Sequence, residues 1–600
     1  MVTGAVRTLR EDVEAAVVGA VRRAIGPGTE VDPLVRRSER ADFQSNVALS
    51  LAKSLGQRPA ALAQAVRDEL TDGNPWLADV TVSGPGFLNL RLADTALTGR
   101  LAQRLADPAR LGVPCSREGE VTVVDYSGPN VAKEMHVGHL RSTLIGDCLA
   151  RTLDFLGADV IRRNHVGDWG TNFGMLIQYL LEHPDLPWRE RDLTPAGGDS
   201  AAPATSPASP VSALDELYRA ARVVFDADPA FKERSQRRVV ALQAGDEAAV
   251  AAWREIVTES TAAFQRVYAR LGVLLTLDDV AGESSYNPEL AGVLGELQQA
   301  GIAVESEGAW CVFYDDIRGH DDRPVPLLLR KSDGGFGYAV TDLAAVRHRV
   351  RDLKATRILY MVDARQAQHF TMVFRTARRA GWFGDEVETA HVRNGTINGP
   401  DGRPFRTRAG GTVRLEDLLD AAERRAAQVL AEKAPDTRPA ELARIARLAG
   451  IGAVKYAELS TSRLKNYNFD VDQMVSFSGQ TGVYLQYTHA RIASILRRAA
   501  DDAAAGFAPG AGLEPAEREL ALLLDEFPAT LDAVAGTLEP HRLAGYLYAL
   551  AKTYTAFYES CPVLKSAPAV RATRLALCRL TAATLSQGLT LLGITAPDRM

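Results

Sequence analysis

Cysteine is scarce: five residues in 600, Cys115, Cys148, Cys311, Cys561 and Cys578, none of them in a CxxC pair. That spacing argues against a disulfide framework or a zinc knuckle and points to a reducing cytosol. No apolar run approaches the roughly eighteen residues that a membrane span requires. The N-terminal MVTGAVRTLREDVEAAVVGA has acids among its apolar positions, so it reads as an amphipathic helix and not as a secretory leader. Positive charge is not in excess either, since 69 Lys+Arg face 75 Asp+Glu for a formal charge of -6. Any surface for nucleic acid must therefore be made locally by folding. No internal repeat of fixed period is present.

What the chain does have is length and an ordinary globular composition, 46% hydrophobic and 24% charged, enough for two to four domains. Residues 1–112 alternate helical patterns (SNVALSLAKSLG, ALAQAVRDEL) with a strand pair ending in VTVSGPGFLNLRL, which predicts a small α+β module. From Val121 a β-rich run, VTVVDYS, is followed by a loop and then by a helix with Leu140, Leu144, Ile145, Cys148, Leu149 and Leu156 on one face. Gly157 stands as its C-terminal cap and DVIRR follows as a second strand. Strand, crossover helix and strand within about 40 residues predict a βαβ unit, a parallel sheet, and ligands at the carboxyl ends of its strands.

Residues 192–212, DLTPAGGDSAAPATSPASPVS, read as an insertion loop, and helical patterns follow to Leu271. Strands are expected again at AWCVFYD, VPLLLRK, GYAVTDLAA and ATRILYMVD, and from Arg414 nearly everything is helical. The expected organisation is an N-terminal module over 1–112, a parallel-sheet domain over 113–450 with a helical insertion around 185–280, and an all-α domain over 451–600.

The stretch PNVAKEMHVGHLRS places His136 and His139 around Gly138 at the turn from the first parallel strand into its helix. N–H groups at a helix start are unpaired and its dipole is positive, so the turn is expected to be an anion site. Glycine lets backbone approach a ligand, and two imidazoles would donate to a phosphate gaining charge. Taken alone, a His-x-x-His pair is equally half a zinc site or two unrelated rings, although no cysteine or carboxylate stands at ligand spacing.

PNVAKEMHVGHLRSTLIGD followed by HVGDWGTNFGML resembles the signature region of the arginyl-tRNA synthetase family of class I aminoacyl-tRNA ligases, with HVGH in place of the HIGH motif. Further matches run in family order along the chain: GESSYN, GYAVTDLAA, VDARQAQHF, FRTRAGGTV, YLQYTHAR and the terminal PDRM. The resemblance implies a class I Rossmann-type α/β catalytic domain with a helical insertion. It also implies an N-terminal module that contacts the tRNA elbow and a helical anticodon-binding bundle. The implied activity is formation of arginyl-adenylate from L-arginine and ATP, with Mg2+, and transfer to tRNA(Arg) by a cytoplasmic monomer without a membrane partner or structural metal.

Site residues follow by resemblance. His136, Gly138, His139 and Asp363 would serve ATP, the last through its ribose. FRTRAGG stands where the family carries KMSKS, leaving Arg406 and Arg408 but no lysine near the pyrophosphate, and Lys133 is placed to compensate. A guanidinium taken from water needs carboxylate forks, and Asp342 and Glu283 are the matching acids. Tyr338 would stand one helical turn before Asp342, on the same face. Asn130 and Gln366 would hold the ends of the amino acid, with Asn89 reaching in from the N-terminal module. Tyr484, Tyr487 and Met600 would meet anticodon bases, in a segment where eleven cationic and eleven acidic side chains give no bulk basic excess. Two alternatives stay open: a related class I ligase for cysteine, glutamate or glutamine, and a duplicated paralogue that supplies, or confers resistance in, a specialised pathway.

Overall fold

In a computed structural model, the described residues are 7–72, 74–189, 210–319, 322–399, 402–403, 413–500, 502, 506–510 and 512–600. They form two compact units: Met1–Ser116 with Ser476–Met600, and Arg117–Val475.

The first unit opens on α1 (Leu9–Ile25), started by a reciprocal cap between Thr8 and Glu11. Its antiparallel sheet is built from β1 (Val35–Arg37), β2 (Phe43–Ser45), β3 (Leu77–Ser83) and β4 (Phe87–Leu92), in the spatial order β1-β2-β4-β3. Helices α2 (Val47–Ala52), α3 (Pro59–Thr71) and α4 (Asp94–Leu105) complete this module.

The second unit is organised by a four-stranded parallel sheet. β5 (Val121–Asp125), α5 (Val137–Phe155) and β6 (Asp159–Arg163) make the expected βαβ unit. α6 (Thr171–Glu182) leads toward the helical insertion of α7 (Pro210–Ala227), α8 (Pro229–Gln243) and α9 (Glu247–Leu271). The Pro/Ala/Ser-rich stretch lies outside the described residues up to position 209. Helix begins at Pro210, inside the predicted loop, because proline suits a first helical position.

After α10 (Leu290–Gln299), strands β7 (Val304–Ser306), β8 (Ala309–Val312) and β9 (Leu327–Arg330) form a separate antiparallel sheet. GYAVTDLAA is not a strand: it opens α11 (Tyr338–Arg351). Gly337 stands at the cap in extended conformation, and Val340, Leu343, Ala344 and Val346 bury one helical stripe. β10 (Arg357–Tyr360), α12 (Ala367–Arg379) and β11 (Glu388–His391) then complete the sheet in the order β11-β10-β5-β6. Strand order reverses between β5 and β10, and the crevice beyond their carboxyl ends is where such sheets bind ligands. Helices α13 (Leu415–Lys433), α14 (Pro439–Ser460) and the short α15 (Val471–Met474) close this unit.

α5 is buried on more than its predicted apolar face, for Arg141, Ser142, Thr143, Asp147 and Thr152 are also inaccessible. Burial on that side is tolerable because the polar groups are paired. Arg141 binds Glu458 of α14 and the carbonyl of Lys465, and Asp147 accepts the Leu274 amide at 2.7 Å.

The remainder of the first unit is helical: α16 (Gly482–Ala499), α17 (Pro515–Asp525), α18 (Phe527–Thr537), α19 (His541–Ser560) and α20 (Pro568–Leu591). Buried ion pairs bolt these helices to the N-terminal module. Asp525 accepts Arg104 Nη2 at 2.6 Å and the Leu9 amide at 2.5 Å, while Arg518 engages Asp42 and Asp94. Among the described residues, no helix is long and apolar enough to cross a membrane.

Candidate functional site

The crevice beyond β5 and β10 is a cleft of about 620 Å³. The loop leaving β5 is held in an uncommon shape, with Ser127 and Ala132 at φ 75° and 62°. Such residues persist only where surroundings over-determine them. Here Thr143 Oγ1 donates to Ser127 Oγ (2.9 Å), the Tyr268 hydroxyl meets Ser127 Oγ (2.7 Å), and Ser260 Oγ accepts the Ala132 amide (3.1 Å). Tyr268 and Ser260 lie on α9, so the insertion braces the loop that carries the histidines.

His136 caps α5: its Nδ1 accepts the Gly138 amide at 3.0 Å, and His139 Nδ1 accepts the His136 amide at 3.1 Å. The rings lie 4.0 Å apart. A ring nitrogen that accepts an amide proton is unprotonated, so in each neutral ring the proton sits on Nε2. Burial, and then Lys133, hold the His136 ring below the usual imidazole range. Burial, with His136 beside it, takes His139 down to about 3. Both rings are therefore neutral donors at physiological pH.

Two expectations change. The first amides of α5 are not unpaired: Val137 donates to the Val413 carbonyl, Gly138 to His136 Nδ1 and His139 to the His136 carbonyl. The helix dipole remains, but the donors left for an anion are the two Nε2–H groups. A Cβ at Gly138 would fall 2.8 Å from the His136 ring, so glycine makes room for the histidine before any ligand.

The acids Asp342 and Glu283 line the same cleft. Asp342, on the second turn of α11, accepts His369 Nε2 at 2.6 Å. Glu283 follows Gly282, where a Cβ would collide with the Asp168 carboxylate. Asp168 is buried and accepts both the amide (2.9 Å) and the hydroxyl (2.6 Å) of Ser284, which fixes the turn bearing Glu283. Burial, and then the neighbouring Asp168 and Asp342, push the Glu283 carboxyl up to about 8. Burial likewise raises Asp168, the Ser284 bonds only partly opposing it.

Of the residues singled out from sequence, His136, Gly138, His139 and Asn130 line this cleft from the β5 side. Glu283, Tyr338, Asp342, Asp363 and Gln366 line it as well. Asp363 is held by Arg365 through Nε and Nη2, both at 2.9 Å; burial alone would raise its carboxyl, but these bonds outweigh it and keep it low. Lys133 lines an adjoining pocket with Asn130, Glu283 and Tyr338, its Nζ 4.9 Å above the Tyr218 ring. Arg406 and Arg408 lie outside the described residues.

The remaining residues belong to the other unit. Asn89 is on β4, accepting from Gln44 and donating to Ser83. Tyr484 is half-buried with its hydroxyl 3.1 Å from Thr555, Tyr487 is exposed, and Met600 is half-buried. The terminal segment carrying Met600 is pinned to α16, where Gln486 and His489 bond the carbonyls of Thr595 and Pro597. His369, Asp168 and Arg365 were not foreseen as site residues. HVGDWG and VDARQAQHF contain all three, but nothing in their spacing reveals that His369 and Asp168 bond partners 27 and 116 residues away.

A parallel sheet with a His-x-Gly-His turn at its switch point defines a class I tRNA synthetase catalytic domain. The family model "tRNA synthetases class I (R), catalytic domain" matches residues 100–471. "Arginyl tRNA synthetase N terminal domain" matches 7–92, and "DALR anticodon binding domain" matches 485–600. The arginine–tRNA ligase of Frankia casuarinae is 60% identical, with 100% of both chains covered. That of Streptomyces coelicolor is 52% identical over 99% of this chain and 100% of its own. Among solved structures, arginyl-tRNA synthetase from Plasmodium falciparum superposes with a TM-score of 0.79 at 26% identity, covering 99% of this chain and 100% of its own. The Thermus thermophilus enzyme does so at 0.78, also with 26% identity and the same coverage. The chain belongs to the arginine–tRNA ligase family.

Proposed function

We propose that this cleft performs both steps of arginine–tRNA ligation. The arginine carboxylate attacks the α-phosphate of ATP, which enters with its Mg2+, giving arginyl-adenylate and pyrophosphate. A ribose hydroxyl at the 3′ end of tRNA(Arg) then takes the arginyl group and AMP leaves. Such chemistry is largely positioning and charge stabilisation. The Nε2–H groups of His136 and His139 donate to the α-phosphate as its charge grows, and being neutral they need shed no proton. Losing one such donor typically costs on the order of 10²–10³ in rate.

Glu283 and Asp342 hold the guanidinium beside Tyr338, while Asn130 and Gln366 hold the amino and carboxylate ends. Lysine's single ammonium cannot satisfy both carboxylates, and a site that leaves buried acceptors unpaired rejects such an analogue by ~10⁴-fold. Asp363 meets the ribose, and Lys133, Arg406 and Arg408 serve the phosphates. Tyr484, Tyr487 and Met600 meet the anticodon. The protein works as a cytosolic monomer.

The observation that carries this is one cleft lined by two neutral imidazole donors and by the carboxyl groups of Glu283 and Asp342. ATP–pyrophosphate exchange across the twenty amino acids, with and without tRNA(Arg), tests it. Exchange is expected for arginine alone and to depend on tRNA, whereas exchange with another amino acid and not arginine would overturn it.

A further inference from the structure

Asp342 does not face the cleft as a bare carboxylate. His369, at the start of α12, places Nε2 2.6 Å from Asp342 Oδ2, and the two side chains are only 27% and 15% exposed. The ring is steadied by the edge of Phe370, with centroids 5.2 Å apart. It forms the wall between the cleft and an outer groove lined by Lys331, Arg365 and Met372. A carboxylate accepts through two oxygens, so a donor fixed on Oδ2 locks its plane and leaves Oδ1 as the oxygen with full capacity.

Assuming the cleft binds arginine as proposed above, we infer that His369 is a specificity-determining positioning residue: it occupies one oxygen of Asp342 and aims the other, so that a ligand must reach Glu283 as well to satisfy its donors. A planar guanidinium with five N–H groups in a fixed fork spans two separated acceptors. A compact ammonium gains most by sitting on both oxygens of one carboxylate, which His369 denies it. Without the ring, Asp342 rotates freely and presents a full fork to any cation. His369 thus acts through Asp342 and touches neither ATP nor the reacting atoms.

The test is exchange kinetics on the full chain with tRNA(Arg), comparing wild type with His369→Ala and His369→Gln, the latter retaining a donor at similar reach. His369→Ala is expected to raise KM for arginine about 10–50-fold and leave kcat and KM for ATP within about 3-fold. The lysine-to-arginine ratio of kcat/KM should rise about tenfold, and His369→Gln should recover most of both effects. Unchanged KM and selectivity in His369→Ala would overturn the inference. So would a loss spread equally over arginine, ATP and kcat that glutamine does not rescue, since that is how a merely structural residue behaves. If His369→Ala fails to fold, His369→Gln and His369→Asn decide: glutamine, whose amide reaches the Nε2 position, should keep normal selectivity and asparagine, whose amide falls short of Asp342, should lose it, and equal selectivity in the two would overturn the inference. Wild-type protein that shows no arginine-dependent exchange would instead defeat the underlying assignment of the cleft.

Discussion

Arginine binding should release a proton, and Glu283 is its source. In the free protein Glu283 lies near Asp168 and Asp342, and its carboxyl is pushed up to about 8 by burial and by those two charges. A guanidinium binds the ionised form. The sign follows from linkage: a group protonated when free and ionised when bound makes binding tighten as pH rises, until pH passes the free-state value. With that value near 8, roughly 1% of sites are ready at about pH 6 and roughly 90% at about pH 9. Apparent affinity should therefore gain ~100-fold across that range, ~2.7 kcal/mol, and flatten above it. Isothermal titration calorimetry in buffers of different ionisation enthalpy measures the protons directly. Close to one should leave per arginine at about pH 7. Glu283→Gln should bind more weakly at high pH and show almost no pH dependence. No proton release in wild type, or an unchanged pH slope in the glutamine variant, would refute the reasoning.

Other outcomes follow from the same geometry. His139→Ala should cut adenylate formation by ~10²–10³ while tRNA(Arg) binding, measured by filter retention, stays near wild type. Because burial takes His139 down to about 3, the acid limb of the rate profile should not reflect this imidazole; a limb near its ordinary value that vanishes in His139→Gln would contradict this. Arg349→Met should lower unfolding free energy by ~3–5 kcal/mol in urea titration, because Arg349 is buried against Asp125 at the end of β5. Gly282→Ala should raise KM for arginine while sparing ATP, since its methyl would enter the Asp168 carboxylate that fixes the Glu283 turn.

Much of this architecture is legible in sequence where a local pattern decides it. The βαβ unit at 121–163 follows from an apolar run, a helical stripe and a capping glycine, and RILY is visible as a buried strand. β11 is not, because ETAH is short and polar and becomes a strand only by pairing with β10. GYAVTDLAA misleads because alternation over a few residues fits either period, and Gly337 settles it as a cap. The buried polar side of α5 is silent in sequence, since its explanation lies at Glu458, 317 residues away. For the same reason the sequence marks Asp342 and Glu283 but not the groups that set their behaviour. His369 and Asp168 act through partners on other elements. The pairing of Val137 with Val413, which removes an expected free amide, is likewise a long-range contact.

The most direct measurement is a crystal structure with a non-hydrolysable arginyl-adenylate analogue. It should place the guanidinium about 3 Å from carboxylate oxygens of both Asp342 and Glu283, and the adenylate phosphate within similar reach of Nε2 of His139. An analogue whose guanidinium contacts neither acid, or whose phosphate lies away from the histidine pair, would contradict a cleft that unites cation recognition with phosphate activation.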